Sequence, residues 1–562
     1  MRHLYILFLL LFVSVQTQAQ PKHEVRAVWL TTIGGIDWPH SYAQSDASIE
    51  KQKNELRRIL DRLQLANINT VLLQTRIRGT VIYPSAYEPW DGCLSGVPGK
   101  SPGYDALQFA IDECHRRGME LHAWIVTIPV GKWNAYGCRR LRQKMPHDIK
   151  KIGADGYMNP ENRQTASYLA DLCAEVTRNY DIDGIHLDYI RYPETWTLKV
   201  SRDRGRSHIT DIVKAISRRV KTLKPWVKMS CSPVGKHDDL SRYWSRGWNA
   251  YTTVCQDAQG WLRDGLMDEL FPMMYFRDNN FYPFALDWKE QSHGRIIAPG
   301  LGIYFLSPKE KDWPLDDITR ELNVLRAEGM GHAYFRSKFF TDDTKGIYTF
   351  AKEQFCQYPA LIPPMTWQNS TPPKSPQCLT LQKTKSGAAR LSWSHEEKDT
   401  TMTLFNVYSS TSYPVCTNDA RNLIATRRQS RSITIPHNPA LHYAVTATDR
   451  YGNESTPLQE SYETASQAMS ASQCHEASLP LLHCDGKRVT LPASLRLTDA
   501  RYLIATTLQG SVTATMPLRF DGNTPTATAD VSRMPEGMYA LRTLGRKGVS
   551  HRVGMFVIKR RK

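Results

Sequence analysis

The strongest constraint in this sequence is an eightfold alternation of short apolar runs with segments of helical periodicity. The runs are almost continuously apolar, which is typical of parallel strands covered on both faces. They are Arg26–Thr32, Asn69–Arg76, Glu120–Val126, Gly184–Arg191, Lys228–Pro233, Glu269–Arg277, Ile296–Tyr304 and Gly331–Phe339. Eight strand-then-helix units within residues 24–357 predict an α/β fold, a (β/α)8 or TIM barrel with enlarged loops.

Helical periodicity separates most of the runs. It is clearest in 48–64, where Leu56, Leu60 and Leu63 recur at helical spacing. Further helices are expected at 105–117, 161–179, 209–223, 316–328 and 344–355, and the segments after the fifth and sixth runs are less clear. A doubly wound open sheet is the alternative fold. Neither GxGxxG nor GxxxxGK[ST] follows the first run, so a nucleotide-binding version has little support.

The first 20 residues have the pattern of a signal peptide. Arg2 and His3 precede an apolar run from Leu4 to Val15, and Thr17 and Ala19 are small residues suited to cleavage after Ala19. The run is too short to cross a bilayer, and no later apolar stretch is long enough either. We therefore expect an exported protein without a transmembrane segment, in the periplasm, at the cell surface or outside the cell. A buried N-terminal helix is the alternative.

Charge and cysteine content narrow the range of partners. The net charge is +17, but residues 470–562 alone hold 14 Lys and Arg against 6 Asp and Glu, and no basic block lies in the interior. This distribution does not predict a nucleic-acid partner. The 11 cysteines include no CxxC, and no HExxH or EF-hand loop occurs, so no metal and no cofactor are expected. The absence of GxSxG disfavours an α/β serine hydrolase.

The composition changes after the last helical segment. Residues 358–375 are rich in proline and predict a linker. Residues 376–462 contain short strands and turns, with Trp393 in an early strand and Tyr443 opening YAVTATDRYGNES. This segment resembles a fibronectin type III module, an all-β sandwich. Residues 478–562 predict a small β module that resembles either a Bacteroidetes-type secretion tail or an immunoglobulin-like domain.

Polar residues at the carboxyl ends of the strands are the candidates for chemistry, because active sites of (β/α)8 enzymes lie on that face. Asp188 stands out as a carboxylate in an apolar strand, where burial demands a partner, either Arg76 or Arg191. Alternation along the strand points it into the barrel mouth. The alternative is a buried Asp–Arg pair that braces the barrel. The expected substrate contacts are Asp37, Trp38, Arg76, Trp124, Arg191, Tyr192, Tyr275, Asp278 and Tyr304.

Several segments together resemble one family. EVRAVWLTTIGGIDWP, NINTVLLQTRIRGTVIYPSAYEPW, RRGMELHAWIV, DGIHLDYIRYP and DGLMDELFPMMYF are similar, in this order, to the glycosyl hydrolase-like 10 family. The resemblance implies a (β/α)8 barrel with a glycosidase-like site and an exported bacterial enzyme acting on complex carbohydrate such as cell-wall glycan. It also implies that Asp188 is the carboxylate of strand four and that Asp257 lies in a family-like segment.

Glycoside hydrolysis needs two carboxyl groups, one on each side of the scissile bond. We expect Asp188 to be the nucleophile or base and Asp257 the second catalytic group, with Asp278 and Glu88 as alternatives. Glutamates are missing at the ends of strands four and seven, which argues against the large glycosidase group that uses that pair. The predicted function is hydrolysis of a polysaccharide or peptidoglycan-type substrate. A non-catalytic carbohydrate-binding barrel and a surface adhesion or scaffold protein are the alternatives.

Overall fold

A computed structural model provides the structure of the chain. It describes residues 20–384, 387–397, 402–459, 482–485, 487–491, 500–507, 512–517, 519–520, 527–545 and 550–559. The expected signal peptide lies outside the described residues except for Gln20, as do parts of the predicted module at 478–562. Among the helices of these ranges, none combines the length and the hydropathy needed to span a bilayer.

Eight parallel strands form a barrel, which confirms the predicted fold class. Each strand pairs with the next one along the chain, and the last pairs with the first, where His332 lies opposite Arg26. The strands are β1 (Arg26–Leu30), β2 (Thr70–Ile77), β3 (Glu120–Val126), β4 (Gly184–Asp188), β5 (Lys228–Cys231), β6 (Glu269–Leu270 and Met273–Met274), β7 (Ile296–Ile297 and Gly300–Leu301) and β8 (His332–Tyr334).

Strands β6 and β7 are each interrupted where the sequence predicts one continuous run. Pro272 lies in the gap of β6 and Pro299 in the gap of β7. Proline has no amide hydrogen and cannot continue the ladder of a central strand. The two halves nevertheless pair in parallel on both sides of the gap, Glu269 with Ile296 and Met273 with Gly300. The barrel therefore closes despite both interruptions.

A helix follows each strand. The helices are α1 (Asp46–Leu65), α2 (Ala106–Arg116), α3 (Arg163–Asn179), α4 (Arg202–Leu223), α5 (Ala258–Arg263), α6 (Tyr282–Glu290), α7 (Leu315–Ala327) and α8 (Ser337–Thr341), with shorter turns at Gly92–Ser95, Ala250–Thr253 and Ile347–Phe350. Helix α1 begins at a capping box formed by Ser45 and Ser48 and buries Leu56, Leu60 and Leu63 against the sheet. Helix α5 has only six residues, too few to show helical periodicity in the sequence.

The loop after β3 carries a small domain of its own. Its three antiparallel strands are ordered Pro129–Lys132, Asp155–Met158, Ile149–Ile152, and a helix at Tyr136–Lys144 precedes the last two along the chain. A short strand, Thr80–Val81, also turns back on the end of β2. Both additions lie on the carboxyl face of the barrel, where they extend the walls of the site described below.

The segment predicted as a linker is packed against the barrel. The amide of Leu361 donates to the carbonyl of Lys22 at 2.8 Å, and Trp367 Nε1 donates to Asp268 Oδ1 at 2.8 Å. Met365 is fully buried. Residues 358–375 are therefore held against the barrel by hydrogen bonds and burial, although their proline-rich composition predicts a linker.

Antiparallel sheets follow, as the sequence predicts. A three-stranded sheet is ordered Gln377–Lys383, Ala388–Ser394, Ser432–Pro436, and a four-stranded sheet Leu423–Arg428, Thr403–Ser410, His442–Asp449, Leu458–Gln459. Among the last described residues, a three-stranded sheet is ordered Arg488–Leu491, Ala527–Asp530, Arg519–Phe520, and a four-stranded sheet Val512–Pro517, Ala500–Thr507, Gly537–Gly545, Ser550–Ile558.

The described chain divides into two compact units. The first contains the barrel and continues to Ser409, and it also takes in Thr417–Pro436 and Ala444–Leu458. The second consists of Ser410–Cys416, His437–Tyr443 and the described residues from Gln459 onward.

Candidate functional site

Asp188 is the last residue of β4, on the carboxyl face of the barrel. The side chain is largely buried, with 7% of the residue exposed. Ser232 Oγ donates to its Oδ1 at 2.9 Å, the amide of Tyr189 donates to the same oxygen at 2.8 Å, and Trp124 Nε1 donates to Oδ2 at 3.1 Å. These three donors, from β3, β4 and the end of β5, fix the orientation of the carboxyl group.

The expected ion pair with Asp188 is absent from the described residues, because both candidate arginines bind other carboxylates. Arg76 forms a bidentate pair with Glu88, whose nearest contact is 2.6 Å, and Arg191 Nη2 contacts Glu194 Oε1 at 2.7 Å. Asp188 therefore depends on neutral hydrogen-bond donors. Burial raises the pKa of Asp188, and the donors Ser232, Tyr189 and Trp124, together with the charge of Arg191, lower it only in part.

Asp188 lines a cavity of about 620 Å³, here called the Asp188 cavity. Aromatic side chains form much of its wall, including the predicted Trp124 and Tyr275 and also Tyr157, Tyr189 and Phe335. Tyr275 and Asp188 line the same cavity; burial raises the pKa of Tyr275, and the negative charge of Asp188 raises it further. A cavity of this size with aromatic walls and a few polar groups is typical of a small-molecule or sugar site.

Two further carboxylates line the Asp188 cavity. Glu194 follows β4 and has an exposed carboxyl group held by Arg191. Burial would raise the pKa of Glu194, but the hydrogen bond and charge of Arg191 lower it overall. Asp155 comes from the small sheet after β3 and contacts Lys132 at 3.0 Å. The cavity therefore combines one buried carboxyl group with two at its rim.

Several predicted substrate contacts are enclosed by protein instead of lining the cavity. Arg76 is fully buried with Glu88, which also removes Glu88 from the solvent. Trp38 is fully buried and donates to the carbonyl of Gln52. Tyr192 is buried, and its hydroxyl lies 3.0 Å from His208 Nδ1. Their burial corrects the expectation of direct sugar contact, because strand-end position alone does not show which face a side chain covers.

The remaining predicted residues lie around the cavity or apart from it. Asp37 is buried and paired with Arg336, which does line the cavity, at 2.5 Å. Tyr304 makes an edge contact with Tyr275, at 5.8 Å between ring centroids. Asp278 is an exposed residue of a 3-10 turn.

Asp257, the predicted second catalytic group, caps the helix α5. Its side chain accepts a hydrogen bond from the amide of Gly260 at 3.0 Å. It does not line the Asp188 cavity, whereas Glu194 and Asp155 do. Within the described parts of the chain, no three His, Cys, Asp or Glu side chains come together in a way that could hold a metal ion.

A family model described as "Glycosyl hydrolase-like 10" matches residues 24–305, half of the chain. The chain belongs to this family. The matched range contains β1 to β7, and every carboxylate of the Asp188 cavity lies inside it.

Other proteins similar to this glycosyl hydrolase-like 10 member are also named as glycosyl hydrolases. The glycosyl hydrolase YngK of Bacillus subtilis (strain 168) is 27% identical over 79% of this chain and 94% of its own length. The glycosyl hydrolase DigH of Escherichia coli (strain K12) is 28% identical over 54% of this chain and 80% of its own. The α-L-fucosidase isoenzyme 2 of Paenibacillus thiaminolyticus has a TM-score of 0.41 at 16% identity, covering 58% of this chain and 49% of that one.

The cavity-wall residues that the sequence analysis did not select in this family member include Tyr189, Glu194, Asp155 and Tyr157. Tyr189 and Glu194 stand in DYIRYPE, directly after the aspartate that was identified. A search of the whole loop, beyond the strand end, would have found them. Asp155 and Tyr157 carried no comparable signal, because their position depends on the small sheet after β3.

Proposed function

We propose that this chain is a glycoside hydrolase that cleaves glycosidic bonds in a complex carbohydrate, with bacterial cell-wall glycan as the first substrate to test. The observation that carries this proposal is a buried, fixed carboxyl group, Asp188, in an aromatic-lined cavity that also contains the Glu194 carboxylate. Family membership supports the same reaction class. Glycoside hydrolysis requires two carboxyl groups beside the scissile bond, and this cavity contains at least two.

The opposite pKa shifts of the two carboxyl groups give them different roles. Burial raises the pKa of Asp188, whereas Arg191 keeps the pKa of Glu194 low despite partial burial. When the pKa values of two carboxyl groups shift in opposite directions, the group with the raised pKa can act as the acid and the other is ionised. We therefore assign proton donation to the glycosidic oxygen to Asp188, replacing the expected role of nucleophile or base. Glu194 then acts on the anomeric carbon, either directly or through a water molecule.

The aromatic walls supply the other requirement of a sugar site. Trp124, Tyr157 and Tyr189 present ring surfaces to the cavity. Apolar sugar faces pack on such rings, and nearby polar groups orient the hydroxyls. Trp248 extends this surface beyond the cavity rim, because its ring lies 5.6 Å from the Arg191 guanidinium and 46% of the residue is exposed.

We also propose that the reaction takes place outside the cytoplasm. The apolar run Leu4–Val15 and the small residues Thr17 and Ala19 support export. The antiparallel sheets within 377–459 are consistent with a fibronectin type III-like module. For this module and the last β segment we propose a role in spacing or attachment instead of chemistry.

The direct test is release of reducing ends from peptidoglycan strands and a panel of polysaccharides. We expect turnover by the wild type on at least one glycan, and a loss of at least about 100-fold in kcat for Asp188→Asn and for Glu194→Gln. Asp257→Asn is the matched comparison, because asparagine also caps helices and the activity should stay within about twofold. Binding of a glycan without turnover by the wild type would favour the non-catalytic barrel. Loss of activity only in Asp257→Asn would reverse our assignment of the second carboxylate.

A further inference from the structure

A second cavity adjoins the Asp188 cavity on the carboxyl face of the barrel. Its volume is about 430 Å³, and the loops after β1, β2 and β3 form its walls. The two cavities share Arg78 as a common wall residue. The turn after β1 also serves both, because Ile33 and Ile36 line the Asp188 cavity while Gly34 and Gly35 line the second cavity. A long ligand bound at Asp188 could therefore continue past Arg78.

Arg78 is held at this junction by its backbone. It has a φ of 58° as the first of the two residues, Arg78 and Gly79, that form the tight turn between β2 and Thr80–Val81. A Cβ at Gly131 would come within 2.9 Å of the Arg78 Cβ, and one at Gly137 within 2.3 Å of the Arg78 carbonyl oxygen. The loop after β3 therefore contacts Arg78 at two points that only glycine permits.

The guanidinium of Arg78 is available for a ligand. The residue is exposed, and it makes no hydrogen bond or ion pair with any described residue. By contrast, Arg76 and Arg191 are both committed to carboxylates. An exposed arginine whose backbone is held at the junction of two cavities, and whose guanidinium has no partner among the described residues, fits a role in ligand binding, because guanidinium groups bind oxygen-rich groups with several N–H donors.

Tyr42 provides an exposed ring in the second cavity. The residue is 57% exposed, although tyrosines of this fold are mostly buried or half-buried. A Cβ at Gly96 would lie 3.0 Å from the ring atoms Cγ and Cδ2, so the ring rests directly on the glycine backbone. One ring face is therefore supported by protein, and the opposite face can pack on the apolar face of a sugar ring.

We propose that the second cavity is an additional glycan subsite, in which Arg78 and Tyr42 bind pyranose units of the same chain beyond the bond cleaved at Asp188. This inference rests on the proposed glycosidase function and deepens it. It predicts a preference for long chains over short oligomers, because only a long chain fills both cavities and uses all of the available contacts. The gain in affinity and rate should then grow with the length of the substrate.

The test compares oligomers of different length from the panel glycan that the wild type cleaves. The measured quantity is the ratio of kcat/KM for the longest oligomer to that for the shortest oligomer cleaved. We expect Arg78→Met and Tyr42→Ala to lower this ratio at least about tenfold. Tyr42→Ala, which lies outside the Asp188 cavity, should also leave kcat/KM for the shortest oligomer within twofold. Arg58→Met, at an exposed arginine of α1, and Tyr413→Ala, at an exposed tyrosine of the second unit, are the matched controls and should leave the ratio unchanged.

The outcomes separate the two proposals. If the wild type cleaves a glycan but the ratio is unchanged in Arg78→Met and Tyr42→Ala, the subsite is overturned and the glycosidase function stands. If the variants lose activity equally on all lengths, the residues serve the fold or the reacting centre, and the subsite is again overturned. If the wild type cleaves no panel glycan, the proposed function fails and the subsite fails with it.

Discussion

At the scale of single residues, Asp188 shows how a carboxyl group can be buried without an ion pair among the described residues. Its two oxygens receive three hydrogen bonds from neutral donors, and Arg191, whose charge acts on Asp188, forms its ion pair with Glu194. Neutral donors compensate the ionised form less than a salt bridge would, so burial dominates and the pKa of Asp188 rises. The same arrangement that fixes the orientation of Asp188 therefore also leaves it poised to carry a proton.

Removing one hydrogen-bond donor to Asp188 should raise the pKa of this carboxyl group further, and the change can be measured. Ser232 Oγ donates to Asp188 Oδ1 at 2.9 Å and stabilises the ionised form. Because Ser232→Ala removes that stabilisation, we expect the pKa of Asp188 to rise and the basic limb of the pH profile of kcat/KM to move upward with it. Ser230→Ala is the control, because Ser230 contacts His186 instead. A basic limb that stays in place or moves downward would remove Asp188 from the role of acid.

Glu269 is a second buried carboxyl group, at the amino-terminal end of β6 and outside the site. Neither of its oxygens has a hydrogen-bond partner among the described residues, and burial raises its pKa to about 8. The folded chain therefore keeps a proton there that the unfolded chain releases above a pKa of 4.5. Between these two values, Glu269 makes the free energy of unfolding fall as the pH rises, by about 1.4 kcal/mol per pH unit.

Glu269→Gln tests this account, since glutamine cannot ionise. We expect urea denaturation between about pH 5.5 and 7.5 to give a stability that declines less steeply in the variant, by about 1.4 kcal/mol per pH unit. Glu310→Gln, at an exposed glutamate, should keep the wild-type slope. Parallel slopes in the wild type and Glu269→Gln would mean that Glu269 is ionised in the folded state.

At the scale of elements, the loop after β2 depends on one buried ion pair. Arg76 at the end of β2 binds Glu88 in the loop, and its Nη1 also donates to the carbonyls of Val126 and Thr127 on the next strand. Both partners are fully buried or nearly so. The loop that carries Arg78 is therefore tied to β3 as well as to β2.

Removing only Glu88 should lower the free energy of unfolding more than removing both partners of the ion pair. Glu88→Leu leaves a buried, unpaired guanidinium, and we expect a loss of about 3–5 kcal/mol in the free energy of unfolding. The double variant Arg76→Met with Glu88→Leu should recover part of that loss, because no charge remains buried. Denaturant unfolding of the two variants measures the difference. A double variant that is less stable than Glu88→Leu alone would show that the carbonyl contacts of Arg76 dominate.

The elements themselves could be predicted from the sequence much better than their contacts. β3 has the predicted bounds, and α1 and α3 differ from prediction by one or two residues, because continuous burial and helical periodicity are local patterns. The partner of Arg76, by contrast, could not be predicted from a local pattern. Glu88 lies in a loop only twelve residues away, but a loop has no periodicity that shows which residues turn inward. The cavity wall formed by Asp155 depends in the same way on a small sheet without a strong apolar pattern.

At the scale of the whole molecule, the described strands beyond residue 400 complete the amino-terminal face of the barrel within the first unit. Arg427 contacts Glu120 Oε1 at 3.0 Å and Asp183 Oδ1 at 2.5 Å, and Arg450 Nη2 contacts Asp183 Oδ1 at 3.5 Å. Glu120 is also held by Lys228 at 2.7 Å. The sequence predicts the barrel and the module at 376–462 as separate parts. Neither composition nor periodicity reveals that Arg427 and Arg450 pair with carboxylates about 250–300 residues away.

Arg427→Met should therefore destabilise the barrel although it lies far along the chain from every barrel strand. The change leaves Glu120 and Asp183 buried with one cation fewer, and we expect a loss of about 3 kcal/mol in the free energy of unfolding. Arg428→Met is the matched control, because Arg428 is the next residue of the same strand and, among the described residues, its side chain donates to Ser430 and to no carboxylate. Thermal and denaturant unfolding of both variants, followed by tryptophan fluorescence, measures the difference in stability. The value of kcat/KM at 25 °C should stay unchanged, because the change is on the face opposite the Asp188 cavity. Equal stability of the two variants would mean that Lys228, His115 and Arg450 compensate the two carboxylates without Arg427, and that the strands around Arg427 contribute no electrostatic stability to the barrel.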